Sequence, residues 1–264
     1  CLWWAFGPSV AFLALIFVTT HYVTSHATLK AAFLRLDWVM CLTMAVAMLR
    51  KGKHGVAGAL TAYAACVRVF PLFFAFAIGA KLCVDLVRWL RDRSSPFPRG
   101  LLLYFVWMGV TAAVLMLLSV IYAGGLDSWR EFFDKVGQHN KDISPWRIGF
   151  KYVFLMSYQQ TPFYGGTYRA FFENHQVLWW SIVFAVLLLT FWLVRRLEDH
   201  ETLSIGYVPV FFLVAPTYYY HVMLVVPFLF FAHKIDRPTR AAGLLMMFAT
   251  AIAGHRLFLR WDRT

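Results

Sequence analysis

The sequence predicts an all-α fold: a polytopic transmembrane helical bundle with two proline-broken helical hairpins and an interfacial amphipathic helix in a long outer loop. Three observations predict it. Hydrophobic residues make up 61% of the 264-residue chain and charged ones only 14%, with a mean hydropathy of +0.62. A soluble domain sits near half apolar and about a quarter charged, so an ordinary cytosolic globule is excluded. Apolar runs recur along the chain, and the basic residues gather in short stretches between them.

Taken in order, the apolar runs are 2–20, 36–49, 56–80, 100–123, 177–194, 205–232 and 241–254. A span needs about 20 apolar residues to cross a hydrocarbon core of about 30 Å. Two of the runs are short, and two are long and interrupted. The run 56–80 carries Arg68 and Pro71 at its middle, and 205–232 carries Pro209, Pro216 and Pro227 with the polar cluster TYYYH at 217–221. Proline removes a backbone donor and an arginine in lipid is costly, so each run reads as two short helices folded back at a polar apex.

Charge supports that reading. With both runs as hairpins, the loops 50–55, 81–99, 195–204 and 233–240 share the inner side and hold 13 Lys or Arg in 43 residues. The outer side, 21–36, 124–176 and the tail from His255, holds 11 in 79. If each long run crosses once instead, the basic loops 50–55 and 81–99 fall on opposite sides, against the positive-inside rule. The hairpin arrangement places Arg68 and the TYYYH cluster partway into the membrane from outside, since a half-helix of about 12 residues reaches only ~18 Å. Non-helical backbone at that depth must be buried in protein or line a water-filled cavity.

The whole chain, 1–264, reads as one transmembrane domain, with 124–176 as an outer loop. Within that loop Ser128 and Glu131 form an S-x-x-E capping box. Trp129, Phe132, Phe133 and Val136 recur at helical spacing, with Arg130, Glu131, Asp134 and Lys135 turned away. This predicts an amphipathic helix ending near Gly137 that packs on neighbouring spans or lies in the outer interface. The following QHNKDISPWR segment and Lys151 mix acceptors, donors and both charges. The segment fits a sugar or diphosphate ligand, or a solvated turn. The stretch 157–176, rich in Tyr, Phe, Gln and Gly, fits sugar stacking or an interfacial aromatic belt.

Twenty-five Lys and Arg against thirteen Asp and Glu give a formal +12. No basic stripe tracks a phosphate backbone, so the charge reads as topology and lipid contact, with no nucleic acid partner. Cys1, Cys41, Cys66 and Cys83 lie in or beside apolar runs without CxxC spacing and read as reduced packing residues. His21 and His26 miss the i, i+4 spacing of a helical ligand pair, and no metal site is expected. The chain opens on Cys1 with no initiator Met and no basic leader, and reads as one whose upstream part is missing.

Three elements together resemble a family: RVFPLFF at 68–74; a loop with Trp129, Phe132, His139 and Asn140 in a W-x-x-F…H-N pattern after a span; and AP-x-YYYH-x-x-L-x-x-P at 215–227. Across roughly 36–232 the chain is similar to the GT-C superfamily of membrane glycosyltransferases, and within it to the polyprenol-phosphate-mannose-dependent alpha-mannosyltransferases. The resemblance implies a bacterial plasma (inner) membrane enzyme of the cell envelope. It would move a hexose such as mannose from a polyprenyl-phosphate carrier to a glycan or glycolipid acceptor on the outer face. It implies no cofactor, the lipid-linked sugar being the donor substrate. It also places the catalytic carboxylate in the first outer loop, upstream of Cys1.

What remains for this chain is substrate binding. A carrier phosphate gains charge as it leaves, and held cations stabilise that charge, Arg best for its fork geometry. Arg68 at the first apex leads, followed by His221 and Tyr220 at the second, with Arg147, Lys151, His139 and Asn140 in the outer loop. Asp37 could orient an acceptor hydroxyl or simply start its helix. Arg68 could instead cap helix carbonyls, and His221 could belong to an interface belt. No Gly-rich phosphate loop is present; the Gly pairs at 124–125 and 165–166 read as turns. The second functional reading is a transporter or flippase for a lipid-linked or anionic solute, since discontinuous helices also build transporter sites. No small-xxx-small face stands out, which leaves oligomeric state open.

Overall fold

A computed structural model describes residues 1–21, 36–122, 125–141, 147–156 and 166–261. Among them the chain is helical apart from loops and one isolated antiparallel bridge. Three helical stretches, Phe70–Arg91, Arg99–Tyr122 and Gln176–Arg196, are long and apolar enough to cross a membrane.

The first run is divided. α1 (Leu2–Phe6) ends at Gly7, whose φ of 90° suits glycine, and Pro8 opens α2 (Pro8–Thr20) at a position where its missing N–H is not needed. α3 (Asp37–Arg50) starts on an acid and ends on a base, both favourable to the helix dipole. A turn through Gly52, φ 70°, leads into α4 (His54–Val67), which runs antiparallel to α3. The Tyr63 hydroxyl near the end of α4 therefore reaches Asp37 at the start of α3, 2.7 Å away.

α4 stops where Pro71 has no N–H to give the Val67 carbonyl. Arg68 is extended, and a 3₁₀ turn (Phe70–Phe73) starts α5 (Phe74–Arg91). The chain has reversed: His54 at the start of α4 and Lys81 in α5 both bind Asp199, at 2.8 and 3.0 Å. The second broken run reverses likewise. α11 (Asp199–Ile205) and α12 (Tyr207–Leu213) lead to a 3₁₀ turn (Tyr218–Leu224), and α13 (Val225–Ala232) returns. Lys234, just past α13, comes within 3.0 Å of Glu201 in α11.

Four expectations about helix ends and caps need correction. α5 runs to Arg91, so half of the loop drawn at 81–99 is helix, and only a short turn precedes α6 (Arg99–Tyr122). The amphipathic helix, α7 (Asp127–Lys141), starts two residues earlier and ends four later than expected. Ser128 therefore sits inside its first turn, with its hydroxyl donating to the Gly125 carbonyl at 2.8 Å rather than capping. The reciprocal capping box that does form pairs Glu198 with Glu201 on α11, in a segment drawn as loop. α14 (Pro238–Trp261) extends seven residues beyond the run drawn at 241–254.

α4 and α6 lie side by side and parallel. A Cβ on Gly58 would sit 2.0 Å from the Tyr104 carbonyl oxygen, and one on Gly55 would strike the Trp107 ring. The glycines let the two backbones touch, so a small-residue face does exist, used within the chain. The core joins α2, α3, α4, α5, α11 and α13 through buried Phe17, Leu42, Ala57, Phe74, Leu203 and Phe228. Outside it, α6 and the next long helix, α10 (Gln176–Leu193), leave apolar faces bare, with Leu117, Ile121, Phe184 and Leu188 all more than half exposed. Helices apolar all round suit a lipid surround.

Residues from all four basic loops expected on the inner side meet in one network. Arg50 binds Glu198 at 2.7 Å, Lys81 and His54 bind Asp199, and Lys234 bridges Glu198 and Glu201. Glu201 is buried and also takes Arg240 at 2.8 Å and His233 at 3.2 Å. Burial works to raise the Asp199 and Glu201 carboxyls. Hydrogen bonds and close charge contacts, with His54 and Lys81 in the one case and with His233, the Glu198 amide and Lys234 in the other, outweigh it and hold both below the usual carboxylate range. His200 beside them is pushed down to about 4, chiefly by burial. The common end of the bundle implied by charge segregation is thus a physical cluster.

Candidate functional site

The end opposite the ion network, expected to face outward, is where both broken runs turn, and there they touch. Phe70 of the first apex packs 4.9 Å from the Tyr220 ring of the second, and Trp38 of α3 packs edge-on to Phe70 at 5.0 Å. The Arg68 guanidinium lies over Tyr220, 5.3 Å from the ring centroid, within cation–π range. Its Nε is buried without a hydrogen-bond partner among the described residues. An arginine held by a ring face and short of acceptors is one that an anion can complete.

Asp37 stands beside this cluster on the residue preceding Trp38. One carboxylate oxygen accepts the Trp38 amide and the other the Tyr63 hydroxyl, each at 2.7 Å. The carboxylate is therefore fixed in direction, and being only partly buried it keeps an open side.

His221 has a different setting. It is buried, with Nδ1 2.8 Å from the Tyr207 hydroxyl and Nε2 3.3 Å from the Ile148 carbonyl oxygen. A carbonyl only accepts, so this geometry has Nε2 carrying the proton and Tyr207 donating to Nδ1. His221 thereby ties the outer loop to the second apex, and His21 at the end of α2 lies within its electrostatic range. The same seam holds a bridge from Arg147 to Thr217 and a hydrogen bond from the Ile148 amide to the Pro216 carbonyl at 3.0 Å. Gly149 makes this approach feasible, because a Cβ there would lie 2.7 Å from the Val214 carbonyl oxygen.

Lys151 follows on α8 (Phe150–Met156), over the Phe172 ring of α9 (Gly166–Asn174) at 4.6 Å. Burial, with the neighbouring Arg147 charge, pushes its ammonium pKa down. The structure thus gathers Asp37, Arg68, Arg147, Lys151, Tyr220 and His221 at the end opposite the ion network. The side chains of His139 and Asn140 lie outside the described residues, as do the loops 142–146 and 157–165.

Sequence reasoning missed three contributors. Tyr63 was the lone phenol at the end of a helix of small and apolar residues, a signal that was available. Tyr207 and Trp38 looked like belt aromatics, and only tertiary packing separates them from the others. A cleft of about 360 Å³ beside Tyr63 was also out of reach. It lies between α4, α6 and α7, and Cys66, Val67, Leu115, Ser119 and Trp129 line it with Tyr63. The Trp129 Nε1 is buried there without a partner among the described residues. Apolar walls with isolated donors suit a chain-like lipid bearing an oxygen acceptor.

No protein-family model matches the chain, and no curated protein or solved structure matches it either.

Proposed function

We propose that this protein is a membrane glycosyltransferase that moves a hexose, mannose in the first instance, from a polyprenyl-phosphate carrier to a glycan or glycolipid acceptor on the outer face of a bacterial plasma membrane. The observation that supports it most is the meeting of two proline-broken apices around Arg68, whose Nε lacks an acceptor. In transfer the anomeric carbon breaks its bond to the carrier phosphate oxygen and forms one to the acceptor hydroxyl oxygen, which loses its proton. The carrier departs as a phosphomonoester with more negative charge than it brought. Arg68 meets that charge, with Arg147 and Lys151 adding field from the outer loop. Asp37, aimed by Tyr63, orients an acceptor hydroxyl, and the cleft beside Tyr63 takes the first part of the carrier chain. The family resemblance implies a carboxylate base that receives the proton.

The test is transfer of label from a radiolabelled polyprenyl-phosphate hexose to a membrane acceptor by the full-length chain. Arg68→Ala should cost about a hundredfold or more, the order of one lost anion-stabilising donor. Equal activity removes Arg68 from the site, and absence of transfer from mannose, glucose and galactose donors alike overturns the enzyme reading. Two discontinuous helices meeting at one apex favour a second reading, a flippase for a lipid-linked or anionic solute. Its signature is movement of intact labelled carrier across a proteoliposome membrane without sugar transfer.

A further inference from the structure

Beyond Lys81, α5 continues for ten residues past the level of the inner ion network. This extension carries Asp85, Arg88 and Arg91 at helical spacing, while Val87 and Leu90 are 47% and 58% exposed. The chain then turns back at Asp92, whose carboxylate accepts from the Ser94 amide at 3.0 Å and hydroxyl at 2.7 Å, and passes Pro96 and Pro98 to start α6. The reversal leaves a cleft of about 280 Å³ walled by His54, Arg88, Ser95, Phe97, Arg99 and Asp199.

The charge around this cleft is not balanced. Asp199 is already held by Lys81 and His54, and Asp85, which also borders the cleft, has Arg88 at 3.5 Å. Arg99 has no ion-pair partner among the described residues, and Arg88 is more than half exposed. Beside the cations stands an aromatic rim: Trp89 and Phe97 pack edge-on at 4.9 Å, and Arg93 lies 3.8 Å over the Trp89 ring. Amphipathic aromatics next to arginines and bare aliphatic side chains place this corner at the level of lipid headgroups. A free phosphate would use only the cations. A phospholipid uses both halves of the surface, its phosphodiester on Arg88 and Arg99 and its chains along Val87, Leu90 and Phe97.

We propose that the cleft between the end of α5 and the start of α6 is an inner-leaflet site for the phosphodiester headgroup of an anionic phospholipid. The site lies at the opposite end of the bundle from the sugar-transfer site and does not depend on it.

The full chain, purified in detergent, is mixed with phosphatidylglycerol or phosphatidylcholine, and bound lipid is counted by native mass spectrometry. Phosphatidylglycerol should be retained over phosphatidylcholine, and R88Q/R99Q should weaken that retention about thirtyfold, as expected for two surface cations. The variant R130Q/K135Q, altered on exposed α7 residues, should retain lipid as the parent does. Both Arg88 and Arg99 are solvent-facing, and an unchanged unfolding midpoint without lipid shows that R88Q/R99Q is folded. Equal retention of the two lipids overturns the proposal, and so does equal loss in the two double variants. Displacement of the lipid by millimolar glycerol 3-phosphate would assign the cleft to a soluble phosphate and overturn the lipid assignment.

Discussion

Arg68 lies over the ring of Tyr220, 5.3 Å from its centroid, although the two belong to different broken helices far apart in sequence. Each apex is set by its prolines, and each is too polar to face lipid. Together they bury one another's aromatic surface and leave a cation short of acceptors. The pairing turns two separate local defects into one site.

The Tyr63 hydroxyl aims the Asp37 carboxylate, so in the proposed transfer Tyr63→Phe should weaken use of the acceptor while leaving the fold intact. A hydrogen bond to a charged group contributes about 1.5–3 kcal/mol, so transfer should fall roughly ten- to a hundredfold. The loss should appear in the acceptor's kcat/KM and spare donor binding. An unchanged acceptor dependence would reduce the Tyr63–Asp37 contact to a helix tie.

Gly58 touches the Tyr104 carbonyl, and no side chain there can move aside to admit a Cβ. Gly58→Val should force α4 from α6 and cost about 1–3 kcal/mol or more in denaturant unfolding of the detergent-solubilised protein. Gly109, on α6 with open space around its Cβ position, is the control, and Gly109→Ala should be tolerated.

The inner network makes stability fall as pH falls. His200 titrates near 4 in the folded chain against about 6.5 when unfolded, so its contribution is complete above about 6.5 and drains as pH drops toward 4. Asp199 and Glu201 are depressed below ordinary carboxylates, so their share is lost at lower pH, below about 4. His54, raised above its usual value chiefly by its hydrogen bond to Asp199, works the other way near pH 7, its share being complete only below about 6.5. Unfolding midpoints measured from pH 6 to 3 should therefore decline throughout. His200→Gln should flatten the upper part of the curve and Glu201→Gln the lower part. Glu201→Gln should also cost about 3–5 kcal/mol at pH 7, since it leaves Arg240, Lys234 and His233 around a neutral amide. A flat profile in the parent protein would contradict the account.

Much of this architecture was legible because the bilayer imposes a simple code. Composition announced the class, and Pro71 and Pro216 announced the breaks. Lys and Arg counts then grouped loops that prove to share ion pairs such as Arg50–Glu198 and Lys234–Glu201. The candidate residues Arg68, Tyr220 and Asp37 stood out because polar groups inside apolar runs are costly and need a reason. Helix ends were less legible. The Lys81–Arg91 segment is charged enough to read as loop, yet its charges lie along one face and the helix continues. The partners Tyr63, Tyr207 and Ile148 were hidden for another reason. A phenol or a carbonyl gains meaning only from what packs opposite, and that is decided by contacts between elements more than a dozen residues apart.

The central claim is that the chain doubles back at Arg68 and again at the TYYYH cluster, bringing both apices to one outer end. In a background lacking Cys1, Cys41, Cys66 and Cys83, single cysteines at Lys53, Ser94 and Gln138 can be labelled with a membrane-impermeant maleimide in intact and opened cells. The account predicts that positions 53 and 94 react only after opening and that 138 reacts in intact cells. Labelling of 53 and 94 from opposite faces would mean that 56–80 crosses once, and would contradict it.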